Sequence, residues 1–272
     1  MAIDQFIPEV WAAGVSQEFI ANQIVIPTLR TAFTGNVTAG STVHIINATT
    51  PTVSDYSASR TINPEALADT EVQLNIDQEK AFSVNVDDVD RVQASSEFGP
   101  WVESAGRALA EDAEDYLIDL MLNNSSDSNA GGATVSDAAG ALTAVRTIRL
   151  TMAQNKVPAS GRYLVVNPEM ADLLIQGLDD VSVAGQDSEL RNGVIGRLYG
   201  FQILESPLLV PGGTARPVAL GYHENMVAFV NQIERVESLR NQSKFADIVR
   251  GLNVYGGVVV KNEAVVRYVS AP

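Results

Sequence analysis

The sequence predicts an α+β protein with an α/β unit embedded near residues 140–230, and three observations predict it. Apolar residues recur at intervals of three and four over 100–122, the mark of a long amphipathic helix. They alternate at 72–76, 82–86 and 233–239, the period of an extended strand. Between 138 and 230, helix-like and strand-like stretches follow one another, as in layered mixed folds. At 272 residues, the chain is one large domain or two small ones, long enough to bury a core unaided.

The elements can be justified in order. From Pro8 to Thr31, Val10, Trp11, Val15, Phe19, Ile20, Ile24 and Val25 stand at helical spacing, punctuated by Gly14 and Pro27, which predicts a short arm and then a helix. After the Ala39-Gly40-Ser41 turn, Thr42 to Ile46 reads as a strand. Residues 47–70 then lose all apolar periodicity, and a polar excursion of about two dozen residues is rare in a compact domain unless it is functional. Val72, Leu74 and Ile76, then Phe82, Val84 and Val86, return as strand, so the whole reads as a long hairpin arm.

Gly99-Pro100 opens the clearest helix, because proline's missing donor costs nothing in the first turn. Beyond it, a helix is expected over Ala138–Asn155, a strand over Tyr163–Asn167, and a helix from Pro168 through Leu174. The polar loop Asp179–Asn192 precedes a strand at Phe201–Leu204 and another at Val218–Leu220. A short helix is expected over His223–Val230, then strands at Ile233–Leu239, Val258–Val260 and Val265–Val269.

Chemistry is tested next, and little survives. The absence of cysteine excludes disulfides, thiolate metal sites and a thiol nucleophile. His44 sits in a strand between Val43 and Ile45, and His223-Glu224 lacks the second histidine of a zincin because position 227 is Val. There is no nucleophile elbow, Walker loop or dinucleotide fingerprint. Asp127 to Gly132 imitates half a calcium loop, but Ala138 stands where the bidentate glutamate belongs. Asp87, Asp88 and Asp90 have the makings of a carboxylate cluster for magnesium, but three carboxylates leaving a strand read rather as a solvated face. No enzyme, cofactor or metal site is expected.

Thirty-three acidic residues against 18 basic give a net charge of −15, which disfavours affinity for free nucleic acid. The acidity reads as solubility, or as a surface that must lie near nucleic acid without sticking to it. No apolar run is long enough to span a membrane, and the N-terminus lacks a signal-like core, so a cytoplasmic chain, or one assembled there, is expected.

Four strings, in their order along the chain, carry a family resemblance. They are GNVTAGSTVHI from Gly35, DQEKAFSVNVDDVDRVQ from Asp77, NGVIGRLYGFQI from Asn192 with Glu205-Ser206-Pro207 behind it, and ADIVRGLNVYGGVVV from Ala246. Together they resemble the major capsid protein of tailed bacteriophages, whose Hong Kong 97-type fold is shared with encapsulin shells; the branch related to the Salmonella short-tailed phage coat looks nearest.

The resemblance implies an N-terminal arm at 1–35, an extended loop at 36–86, a peripheral domain at 87–139 and 231–272 with a spine helix at 100–122, and an axial domain at 140–230. It implies a coat subunit forming pentamers and hexamers that enclose double-stranded DNA without reading its sequence. A separate scaffolding protein, a portal and a decoration protein are the expected partners, and the virion capsid, assembled in the host cytoplasm, the expected location. No membrane is involved. The rival of the same fold is an encapsulin-like compartment holding enzyme cargo; an enzyme lacks its base and nucleophile, and a secreted adhesive module lacks its signal. Lys80, Lys156, Lys244 and Lys261 are the only lysines, and none lies at 47–70, so a covalently cross-linked shell is not expected.

Two contact regions follow. By resemblance, the loop Asp179–Asn192 converges on the capsomer axis, where copies of Asp179, Asp180, Asp187 and Glu189 repel unless Arg191 or solvent cations offset them. On the spine helix, Glu103 and Arg107 form a favourable pair, while Glu111, Asp115 and Asp119 make an acidic stripe at i, i+4, i+8. The stripe either faces water or receives Arg60, the only basic residue between 31 and 79, from a neighbour's loop.

Overall fold

The computed structural model describes residues 23–29, 42–48, 53, 69–87, 99–180, 196–210, 216–240, 243 and 245–272. Eleven strands among these form three sheets: a pair β1-β2, a triplet β3-β10-β9, and six strands in the order β4-β11-β8-β5-β7-β6. The strands are β1 (Thr42–Ala48), β2 (Asp69–Asn75), β3 (Gln78–Asp87), β4 (Ser126–Asp127), β5 (Arg162–Val166), β6 (Arg197–Leu198), β7 (Phe201–Glu205), β8 (Val218–His223), β9 (Val227–Arg240), β10 (Ala246–Val259) and β11 (Val266–Val269). Three helices accompany them: α1 (Gly99–Asn123), α2 (Ala138–Gln154) and α3 (Pro168–Asp180).

The six-stranded sheet is covered on both faces. Leu164 and Val166 of β5, Ala219 of β8 and Phe201 pack with Ile148, Met152, Met170 and Leu174 of α2 and α3. The alternate residues, Val165, Val218, Leu220 and Tyr222, pack with Leu117, Ile118 and Met121 of α1. Period two thus feeds two cores at once, and every residue of β8 is buried. Asp137 caps α2, its carboxylate accepting the Gly140 N–H at 2.7 Å. The sheet also draws β4 and β11 from outside 140–230.

The hairpin reading of the arm holds: β1 and β2 are antiparallel, with Thr42 opposite Asn75 and Ala48 opposite Asp69. Ile45 and Leu74 turn inward onto Ala228 and Val230. β3 does not continue this sheet; it pairs with β10, and α1 lies across that triplet through Tyr116, Leu120 and Tyr255. The long β9–β10 hairpin carries a bulge at Leu252/Asn253.

Several sequence expectations need correction. His223–Val230 is no helix: β8 ends at His223, a turn follows, and β9 begins at Val227. Val227 and Phe229 face the core under α1 while Ala228 and Val230 face the hairpin, so both faces are apolar and the alternation disappears. α3 runs through Gly177 to Asp180 rather than stopping at Leu174. A side chain at Gly177 would lie 3.2 Å from both Ala138 and Leu142, so the glycine lets α2 and α3 close up. β10 begins at Ala246, far ahead of the expected Val258, because its glycines masked the pattern. β6, unanticipated, turns into β7 through Tyr199 and Gly200, with φ of 49° and 89° as a two-residue hairpin turn requires. Of the predicted arm and helix at 8–31, the described part is a 3-10 turn at Ile26–Thr28.

Candidate functional site

Two surfaces among the described residues, one densely charged and one with open strand edges, form the candidate site. The first is the outer face of α1. Glu111, Asp115 and Asp119 are all exposed on it, as their four-residue spacing requires. One turn aside, the Asp112 carboxylate accepts Lys80 Nζ at 3.1 Å from β3 and the buried Tyr255 hydroxyl at 2.5 Å from β10. The Asp115 carboxyl is held above the ordinary range, first by burial and then by Asp119, Asp112 and Glu111, with Lys80 opposing them. Burial and the neighbouring Asp112 push the Tyr255 phenol far upward. With Glu111, Asp112, Asp115 and Asp119 against Lys80 and Arg107, this face is net negative, and a cation brought to it is attracted.

The second surface is the hairpin. Among the described residues β1 pairs only with β2, so each strand has an outer edge without a ladder partner. Its outward face carries His44, whose Nδ1 meets the Glu71 carboxylate, and Gln73, while its inward face packs on β9.

The sequence-predicted contact residues are distributed unevenly. Glu111, Asp115 and Asp119 share one face of α1. Asp179 and Asp180, expected in a loop, end α3 in its last turn, where no basic residue stands. Arg60, Asp187, Glu189 and Arg191 lie outside the described residues. Glu103 lies in α1, its side chain outside the described set, and Arg107 is exposed.

Sequence reasoning missed Glu114. It is 2% exposed, and its carboxylate accepts the backbone N–H of Ile24 and, at 2.6 Å, that of Val25. Burial raises its carboxyl, and the Val25, Ile24 and Ile26 amides pull it back. The carboxylate thus caps the 3-10 turn and fastens the end of the arm to α1, assisted by Thr28 Oγ1 against the Tyr222 hydroxyl at 2.5 Å. The available signal was position: Glu114 sits on the same stripe as Ala110, Leu117, Ile118 and Met121, where an acid is out of place.

His223 is buried and accepts the Asn225 N–H at Nδ1, 3.2 Å away; burial lowers its pKa, and it serves the turn between β8 and β9. Among the described residues, no group of three His, Asp or Glu side chains could hold a metal ion.

Comparison with known proteins agrees with this picture. A family profile described as phage capsid protein matches residues 69–268. A solved structure from Mycobacterium phage Che8 is similar at 35% identity, covering 90% of this chain and 91% of its own, with a TM-score of 0.80. The capsid of cyanophage P-SCSP1u is similar in fold at 16% identity and a TM-score of 0.68, over 86% of this chain and 85% of its own. A virus-like particle from Pyrococcus furiosus is similar in fold at 11% identity and a TM-score of 0.62, over 98% and 100%. None of the curated proteins matches.

Proposed function

The chain belongs to the phage capsid protein family, as a major capsid protein of the Hong Kong 97 type, and from that premise we propose how it builds a shell. It is a structural protein that assembles with itself into the icosahedral capsid of a tailed phage. The observation that carries this is the 35% identity sustained over nine-tenths of both chains. The Pyrococcus furiosus particle shares the fold alone, which leaves the cargo compartment the weaker reading.

In the proposed shell, 1–35 is the arm, 36–86 the extended loop, 87–139 and 231–272 the peripheral domain, and 140–230 the axial domain, with β4 and β11 reaching into the axial sheet. The hairpin formed by β1 and β2 reaches over the neighbouring subunit; that its outer edges have no ladder partner among the described residues supports this. Arg60, beyond the paired strands, meets Glu111, Asp115 and Asp119 of that neighbour. Around the capsomer axis, Asp179, Asp180, Asp187 and Glu189 are balanced by Arg191 or by cations. Assembly takes place in the host cytoplasm with a separate scaffolding protein, a portal and a decoration protein, and the wall does no chemistry. The acidic balance of −15 supports a lining over which DNA slides without binding.

Electron microscopy of the purified chain, with and without candidate scaffolding protein, tests the proposal. Closed particles of uniform size are expected. A monomer that persists at every concentration overturns it, and particles filled with an enzyme instead of DNA favour the compartment.

A further inference from the structure

Charge along the axial part of the chain is sharply sorted. Residues 138–168 contain Arg146, Arg149, Lys156 and Arg162 and no acid, in a chain of net charge −15. The next helix, α3, is the opposite, with Glu169, Asp172, Asp179 and Asp180 and no base.

The outer face of α2 collects Arg146, Arg149, Leu150 and Ala153, spaced i, i+3, i+4 and i+7, and all four are exposed. Leu150 is 58% exposed, a large aliphatic group left in water in the middle of the face. Neither Arg146 nor Arg149 meets a carboxylate among the described residues. Arg149 instead adds to the depression of the neighbouring Arg162, whose guanidinium is satisfied by the carbonyl oxygens of Pro158 and Val157. Two acids of α3 are engaged locally: Asp172 accepts from Gln176 at 2.7 Å and Glu169 from Asn167 at 2.6 Å.

We propose that the Arg146–Arg149–Leu150–Ala153 face of α2 is a subunit interface, docking on the acidic outer side of α3 of an adjacent copy of this chain. The inference rests on self-assembly into rings. A ring is built from a heterologous contact, in which two different patches of one subunit must complement each other, and α2 and α3 supply one patch of each sign. The acids of α3 offer these arginines carboxylates from a second copy of the chain, and arginine is enriched at protein interfaces. The acidic side presents Glu169 and Asp172, both exposed. Such a contact also offsets the repulsion that α3 suffers from its own copies around an axis.

The experiment compares particle yield of the full chain, by sedimentation and electron microscopy, for wild type, R146E/R149E, E169R/D172R and the combined quadruple variant. Each double variant is expected to lower the yield about tenfold while its unassembled subunit keeps the wild-type circular dichroism, and the quadruple variant to recover most of it. Should Glu169→Arg unfold the chain by disturbing Asn167, R146E/R149E/D172R replaces the quadruple variant and must show the same recovery. Normal assembly of R146E/R149E overturns the proposal, as does a swap variant no better than its parents. Normal particles with a reduced DNA content also overturn it, by showing that α2 meets nucleic acid instead. A wild type that forms no particles at all is a separate failure, that of the capsid reading.

Discussion

β8 and β1 are strands of similar length in the same chain, and they are finished in different ways. β8 is bonded on one side by β11 and on the other by β5, and all six of its residues are buried between two helix layers. β1 is bonded on one side by β2, buries Ile45, and leaves His44 exposed. The first strand completes its hydrogen bonds and its core within the subunit. Among the described residues the second keeps one edge unpaired, in a chain that builds shells from copies of itself. Where the chain leaves a strand edge or a charge unmatched, the neighbouring subunit is the natural source of the other half.

The largest expected effect lies where the two regions join. Gly256 of β10 passes the end of β2 so closely that an added Cβ would stand 2.2 Å from the Asn75 carbonyl oxygen and 2.9 Å from the Ile76 Cα. Gly221 of β8 is also tight, at 2.6 Å, but the atom in the way is Cγ2 of the Ile148 side chain. A backbone obstacle must move a strand; the branched Ile148 side chain is stiff about χ1 and yields by a smaller shift of α2. Gly256→Ala should therefore cost roughly 3 kcal/mol and Gly221→Ala roughly 1 kcal/mol, measured by denaturant unfolding of the unassembled subunit. In the Gly256 variant, amides of 69–75 should also exchange faster than those of 218–223. Equal losses at the two glycines would contradict this division between a rigid joint and a yielding core.

The next effect is smaller and carries a pH signature. Glu114→Ala leaves the Ile24 and Val25 N–H groups without their acceptor, at a cost of about 1–3 kcal/mol. Glu114→Gln keeps an acceptor and removes the charge. Because burial raises the carboxyl in the folded chain, that chain holds its proton more tightly than the unfolded one does. Wild-type stability therefore falls as pH rises from the ordinary carboxyl range, about 4.3, through the raised value, and stays lower above it. The glutamine variant lacks that slope and should gain on the wild type between pH 4 and pH 7. Parallel stability curves would show that Glu114 is not the titrating group.

How much of this was legible in the sequence follows the same division. Elements with one buried face could be read: α1 was expected at 100–122 and spans Gly99–Asn123, and the turn of apolar residues at 72–76 back along 42–46 was visible as a hairpin. Elements buried on both faces, or stripped by glycine, could not be read. β9 was half lost because Val227, Ala228, Phe229 and Val230 are apolar without alternation, and β10 because Gly251 and Gly256 stand where Phe82 and Asn75 leave no room for side chains and Gly257 stands tight against Leu120. Of the candidate contacts, the α1 stripe was legible since helical spacing alone groups Glu111, Asp115 and Asp119. Lys80 and Tyr255 beside Asp112 were not, because they arrive from strands far away along the chain. Glu114 needed the arm in place before its role could be seen.

The smallest effect per subunit tests the unmatched charge itself. Asp115 stands four residues from both Glu111 and Asp119, and each like-charge pair costs a few tenths of a kcal/mol. Asp115→Asn should therefore stabilise the unassembled subunit slightly at neutral pH. The gain should fade as pH falls through the raised Asp115 carboxyl, where the wild type sheds the same charge by protonation. In the assembled shell the sign should reverse, because the proposed neighbour's Arg60 needs the stripe. An exposed pair is worth at most about 1 kcal/mol, but every subunit repeats it. Arg60→Glu should thus impair assembly, and Asp115→Arg in the same chain should partly restore it, read as particle yield by sedimentation. If Asp115→Asn shells are as stable as wild type and the charge swap restores nothing, the stripe faces water, and the hairpin finds its other half elsewhere.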